Sequence, residues 1–182
     1  VKLMAPLLKA WKTALKAENA VDFSGLIHQA INVLDKGRFV SPWKHILVDE
    51  FQDISPQRAA LLAALRRQNS QTTLFAVGDD WQAIYRFSGA QLSLTTAFHD
   101  SFGEGDLCAL DTTYRFNTRI GEVANGFIQQ NPHQLNKPLN SLSAGDKNAV
   151  TLLAADQLDA LLDKLSGYAT QEDRILVLAR YH

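Results

Sequence analysis

Cysteine is nearly absent from this sequence: Cys108 stands alone among 182 residues, so no internal disulfide can form. A lone thiol fits a reducing compartment, and the expected location is the cytoplasm. Leu107, Ala109 and Leu110 surround it with an apolar run, so Cys108 is expected to be an inert, buried thiol in a short strand. No apolar run approaches the ~18 residues that a membrane span needs, and no membrane partner is expected. Lys2, Lys9, Lys12 and Lys16 interrupt any apolar stretch near the beginning, which therefore does not read as a signal peptide. Charge of one sign is lacking too: 18 basic against 19 acidic side chains leave a formal net charge of −1. Nucleic-acid binding through a general basic excess is thereby excluded, and any such role must come from particular residues. The five histidines are scattered, without metal-ligand spacing. No Gly-x-x-x-x-Gly-Lys-Ser/Thr loop occurs. Gly145-Asp146-Lys147 lacks both the spacing and the hydroxyl, and Gly103-Glu104-Gly105 reads as a turn.

What remains is an ordinary globular composition, 46% hydrophobic and 20% charged, which excludes a disordered or low-complexity chain. The sequence opens on Val1 and closes on an apolar run ending at His182, and is expected to be an internal piece of a longer chain.

Leu3, Leu7, Leu8, Trp11 and Leu15 recur near helical spacing with lysines between them. Phe23, Leu26, Ile27, Ala30, Ile31 and Leu34 mark a second amphipathic helix, with Asp22 as N-cap and Gly37 past its end. Ile46–Val48 and Leu74–Val77 read as short apolar strands, separated by a helix that Ser55-Pro56 opens and that runs to about Gln68. A helix over Leu92–Phe102 and a strand over Leu107–Leu110 follow, then a helix capped by Asn117 and ended before Pro132. Residues 131–149 read as a linker, and Val150–Leu153, Leu158–Leu165 and Ile175–Ala179 repeat strand, helix, strand. Strands that are apolar throughout and alternate with helices predict an α/β fold with a parallel sheet covered on both faces. In such sheets ligands sit at the carboxyl ends of the strands, where this sequence gathers its acids.

Three constellations carry chemistry. The strand Ile46-Leu47-Val48 delivers Asp49 and Glu50 to its end. They are either a Mg²⁺-holding aspartate beside a water-activating glutamate, or two solvated acids. The second constellation runs from Gly78 to Ala90 after the next strand. Gln82 can donate to and accept from a phosphate or an attacking water. Tyr85 and Phe87, with Arg86 between them, either stack on unpaired bases or pack into the core. The third is Tyr114-Arg115 at a helix start, where the arginine can grip a phosphate and the tyrosine can stack on a planar base, or both serve the surface and packing.

Asp49-Glu50-Phe51-Gln52-Asp53, the Gly78-to-Ala90 block and Tyr114-Arg115 occur in that order, each after an expected strand. The set resembles motifs II, III and IV of superfamily 1 DNA helicases of the UvrD/Rep group, and the resemblance covers essentially the whole chain. It implies a RecA-like nucleotide-binding fold, with ATP as substrate, Mg²⁺ as cofactor, and single-stranded and duplex DNA as partners. Residue by residue, it implies that Asp49 coordinates Mg²⁺ and Glu50 activates water. It implies that Gln82 and Arg115 touch the γ-phosphate while Tyr114 stacks on adenine. Tyr85 and Phe87 would contact bases of the tracking strand, and Gln52 and Asp53 would couple the nucleotide site to the motif III loop. It further implies 3′→5′ translocation. Trp81 and Thr113 depart from the family's usual acidic residue and asparagine. The expected organisation is the later part of a first RecA-like domain over residues 1–117, a connecting helix and linker over 118–149, and the opening of a second domain over 150–182. Lacking the phosphate-cradling loop, the segment by itself is expected to hydrolyse little or no ATP. Two alternatives stay open: a helicase–nuclease subunit, and a helicase-like ATPase acting on a protein such as RNA polymerase.

Overall fold

The computed structural model describes residues 3–137, 139–169 and 174–178. The chain forms two compact units, one of Val1–Leu110 with Ile128–Lys137, the other of Asp111–Phe127 with Pro138–His182. Asp111 to Asn117, expected with the first segment, thus fall in the second unit, and 128–137, expected in the connecting helix and linker, fall in the first.

The first unit begins with α1 (Ala5–Ala17), which buries no residue, and α2 (Phe23–Asp35). Asp22 caps α2 by accepting from the Gly25 N–H at 2.6 Å, as its short acidic side chain allows. The strand β1 (His45–Val48) pairs in parallel with β2 (Thr73–Ala76), His45 opposite Thr73 and Val48 opposite Ala76. The crossover between them is α3 (Pro56–Arg67), which starts as its sequence predicts: Ser55 Oγ accepts from the Arg58 N–H, and Pro56 sits where no N–H is needed. α3 packs on α2. Gln68 latches the segment between α2 and β1, accepting from Ser41 N and donating to the Leu34 and Phe39 carbonyls.

Side chains alternate across a strand, so β1 and β2 turn Val48, Leu74 and Ala76 inward. There they meet a core of Phe51, Ile54, Ala59 and Phe102, with Leu62, Leu94 and Phe98 against it. Phe51 is its centre: 2% exposed, edge-on to both Phe98 and Phe102. Leu47 and Phe75 point the other way and are 71% and 62% exposed. The sheet expected to be covered on both faces is therefore covered on one, because the described residues supply a single packing layer.

Several further expectations are corrected. The helix over 92–102 is two short ones, α4 (Ser93–Thr96) and α5 (Phe98–Phe102), since Ala97 between them leaves helical geometry at φ −116°, ψ 48°. The strand over 107–110 is absent: Leu107 and Leu110 are exposed, no strand pairs with them, and Cys108 is exposed rather than buried. A strand exists only where a ladder partner lies alongside, and that happens slightly later. In the second unit β3 (Thr112–Thr113) pairs in parallel with β4 (Asn140–Ser141), inside the segment read as linker. Val150–Leu153 forms no strand either. Ile175–Leu178 is without regular structure, and Ala179 lies outside the described residues. The second unit also holds most of α6 (Thr118–Ile128), whose first N–H groups are capped by Asn117, and α7 (Leu158–Ala169). Among the described residues no helix is long and apolar enough to cross a membrane.

Removing the central ring tests the packing. Phe51→Ala is expected to destabilise the chain by about 3–5 kcal/mol, read from urea unfolding. A loss below about 1 kcal/mol would contradict this assignment of the core.

Candidate active site

The site is built where β1 and β2 end. Val77 N–H donates to the Val48 carbonyl and Phe51 N–H to the Val77 carbonyl, both at 2.9 Å, so the two exits stay stitched together. Between them the chain reverses at Glu50, which adopts the left-handed conformation, φ 49° and ψ 46°. For a residue with a Cβ that costs about 1–3 kcal/mol, which the surrounding structure must offset. Asp49 Oδ1 helps by accepting the Glu50 N–H at 2.9 Å. The buried Phe51 anchors the turn from beneath, and Phe51–Asp53 closes it as a short 3-10 helix.

Gln52 follows, 2% exposed. Its amide nitrogen donates to Glu50 Oε2 at 2.7 Å, and its amide oxygen accepts the Asp79 N–H at 2.9 Å. The two loops approach so closely that Gly78 can only be glycine: a Cβ there would lie 2.8 Å from Gln52 Oε1 and 3.0 Å from the Phe51 and Gln52 nitrogens. Asp79 extends the path. Its Oδ2 accepts from Gln82 Nε2 at 2.7 Å and its Oδ1 from the Trp81 N–H at 3.1 Å. Glu50, Gln52, Asp79 and Gln82 thus form one unbroken hydrogen-bonded path. Asp49 joins it through the Glu50 N–H, and Asp53 sits on the same turn with a buried Oδ1 that has no partner among the described residues.

Lys137, a residue that sequence reasoning missed, closes this path. Its ammonium lies 2.7 Å from Asp79 Oδ1 and 2.6 Å from Asp80 Oδ1. Asp80 is fully buried, and its Oδ2 accepts the Leu135 N–H at 2.8 Å. A buried carboxylate without a cation would cost several kcal/mol, so the position of Lys137 is energetically demanded. Gln134 donates to the Asp80 carbonyl at 3.1 Å, and Trp81 Nε1 donates to the Leu135 carbonyl at 3.2 Å. The departure at Trp81 therefore supplies a hydrogen bond to the 134–137 segment and a ring 5.8 Å beneath the Lys137 ammonium. The one signal available in the sequence was Asp79-Asp80 itself, two adjacent acids at the end of an apolar strand that call for a cation.

Tyr85 and Phe87 follow on the next turn, 46% and 86% exposed, their rings 5.8 Å apart and tilted by 44°. They are a solvent-facing aromatic pair and not core residues. Tyr114 and Arg115 belong to the second unit. Tyr114 is 82% exposed, Arg115 is exposed, and the Arg115 N–H donates to Thr113 Oγ1 at 3.3 Å. In the same unit the Gly145-Asp146-Lys147 segment serves the α6 start: Gly145 N–H donates to Thr118 Oγ1 at 3.0 Å. Among the described residues no cluster of three or more His, Cys, Asp or Glu is arranged to hold a metal. The donor set at the β1 exit is smaller: the exposed Asp49 and Glu50 carboxylates. That suits Mg²⁺, which takes one or two carboxylates and fills its remaining positions with water and phosphate oxygens.

Comparison with known proteins adds to this geometry. The model of the UvrD/REP helicase N-terminal domain matches residues 2–103. The whole chain is 85% identical to DNA helicase IV of Escherichia coli (strain K12), of which it spans 27%. Over 158 residues it is 30% identical to the ATP-dependent DNA helicase Rep of Salmonella typhimurium, covering 84% of this chain and 23% of that protein. Over 152 residues it is 29% identical to the ATP-dependent DNA helicase PcrA of Staphylococcus epidermidis, covering 80% of this chain and 21% of that one.

The ion pair sets a pH window. Burial pushes the Asp79 carboxyl up, but hydrogen bonds from Lys137 and Gln82, the Lys137 charge and the Trp81 N–H outweigh it and hold the group below its ordinary value. Burial pushes Lys137 down, and Asp79 and Asp80 outweigh that and hold it above its ordinary value. A carboxylate held low contributes stability above its unfolded value and loses it as pH falls through the folded one; an ammonium held high contributes below its unfolded value and loses it as pH rises through the folded one. The pair is therefore fully engaged between about pH 4 and about pH 10. With Trp11 and Trp43 replaced by Phe, Trp81 emission is expected to stay constant across that window and to change only outside it. A transition between about pH 6 and pH 8 would contradict this.

Proposed function

The chain belongs to the UvrD/Rep helicase N-terminal domain family, and from that premise we propose that it is the segment of an ATP-dependent DNA helicase that carries the hydrolytic acids and a DNA-contacting aromatic pair. In this reading the first unit is the later part of a RecA-like domain. Asp49 holds Mg²⁺, and Glu50 accepts a proton from the water that attacks the γ-phosphate. A bound Mg²⁺ supplies positive charge against the negative charge that builds on the transferring phosphoryl group. Gln82 orients the γ-phosphate or the attacking water through its amide. Gln52 and Asp53 couple the acids to the loop that bears Gln82. By the family resemblance Arg115 and Tyr114 would serve the γ-phosphate and adenine, and Tyr85 and Phe87 stack on bases of single-stranded DNA. Translocation runs 3′→5′.

The observation that carries this reading is the hydrogen-bonded path from Glu50 through Gln52 and Asp79 to Gln82. A general base and a phosphate-sensing amide on separate loops, joined by one buried glutamine, are positioned to respond to the same group. The exposure of Tyr85 and Phe87 supports the DNA contact, since a ring must face solvent before a base can stack on it. The chain contains no glycine-rich phosphate loop, so hydrolysis requires residues beyond these 182.

Two measurements test the reading. In the full-length protein carrying this segment, Glu50→Gln is expected to lower DNA-stimulated ATPase kcat by about 10²–10⁴-fold, while the 182 residues alone show no turnover above background. Retained turnover in Glu50→Gln would refute the assignment of the base. Tyr85→Ala and Phe87→Ala are each expected to weaken single-stranded DNA binding by about 1–3 kcal/mol in a fluorescence titration. Unchanged affinity in both would instead favour a motor that acts on a protein partner.

A further inference from the structure

Among the described residues Lys137 is the one cation that reaches Asp79 and Asp80. It comes from 58 positions away in the sequence, and only 18% of its side chain is exposed. Both Asp79 oxygens are committed: Oδ1 to Lys137 and the Trp81 N–H, Oδ2 to Gln82. Two donors on Oδ1, the Lys137 ammonium and the Trp81 N–H, restrict rotation of the planar carboxylate, and the shorter Lys137 contact helps to set where Oδ2 points. Oδ2 in turn fixes the Gln82 amide. Asp80 adds the reason for Lys137 to stay, because its buried carboxylate needs the same ammonium. Leu135 and Gln134 pin the approach of the segment through two further hydrogen bonds.

We propose that Lys137 is a positioning residue for ATP hydrolysis, acting through Asp79 to set the orientation of Gln82, with residues 134–137 as the strap that delivers it. This rests on the reading of Gln82 given above. Lys137 itself touches neither nucleotide nor water in this scheme. It removes the freedom of the Asp79–Gln82 pair, and a misplacement of about 1 Å in such a group costs on the order of a hundredfold in rate.

The test uses the full-length protein, with DNA-stimulated ATPase kcat and KM for ATP measured for Lys137→Ala, Lys137→Arg, Gln82→Ala and the Lys137→Ala/Gln82→Ala pair. Lys137→Ala is expected to lower kcat about 10–100-fold with KM changed less than about threefold, and Lys137→Arg to recover most of the loss. In the Gln82→Ala background, Lys137→Ala is expected to add almost nothing, because both changes remove one arrangement. If Lys137→Ala does not fold, Lys137→Met, which keeps the apolar stem without the charge, is read in the same way. Full kcat in the lysine variant alongside a loss in Gln82→Ala overturns this proposal and leaves the helicase reading intact. Unchanged kcat in Gln82→Ala overturns the underlying role of Gln82. Losses that multiply in the double variant overturn the coupling between the two.

Discussion

A single buried amide organises the first unit's chemistry. Gln52 can satisfy its nitrogen and oxygen only by holding Glu50 on one side and the backbone of Asp79 on the other. Water cannot substitute at a side chain that is 2% exposed, so the two loops must keep their separation or leave a polar group unpaired. Much else follows from that separation: the glycine at 78, the left-handed backbone at Glu50, and the Val77–Phe51 hydrogen bond that closes the gap. Phe51 supplies the complementary constraint, because the aromatic cluster beneath it fixes the same turn from the core side.

Electrostatics around Asp79 and Asp80 work differently. Two neighbouring carboxylates, one of them fully buried, repel each other and lose hydration, and a loop held only by backbone hydrogen bonds would not offset that. The ammonium of Lys137 turns the pair from a liability into a brace. The indole of Trp81 contributes a wall to the ion pair and a donor to the backbone that carries the lysine.

Local signals were legible wherever the physics is local. Asp22, Ser55-Pro56 and Asn117 each cap the helix that their side chains foretell, and the two short apolar runs that flank α3 pair as parallel strands. The acids were legible at the strand exits because carboxylates have no place inside an apolar run. What stayed hidden depended on partners far away in the chain. Leu107–Leu110 has strand composition but no ladder to join, and Asn140–Ser141 has loop composition but joins one. Nothing periodic marks Gln134–Lys137; its place is decided by a charge deficit that only the folded chain creates. Likewise apolarity on both sides of β1 and β2 forecasts cover for both faces, yet Leu47 and Phe75 are bare, because composition records what a surface prefers and not what packs on it.

The chain leaves the first unit after Leu110, comes back for Ile128–Lys137, and then leaves again. The two units are therefore threaded through one another in sequence, and no cut of the polypeptide yields either as a single continuous stretch. During synthesis the loop bearing Asp79 and Asp80 emerges from the ribosome well ahead of its counter-ion, and at 5–20 residues per second that interval is on the order of several seconds. Until Lys137 arrives, the nascent first unit carries an unneutralised acidic turn, so its final consolidation is timed by the last residue it acquires.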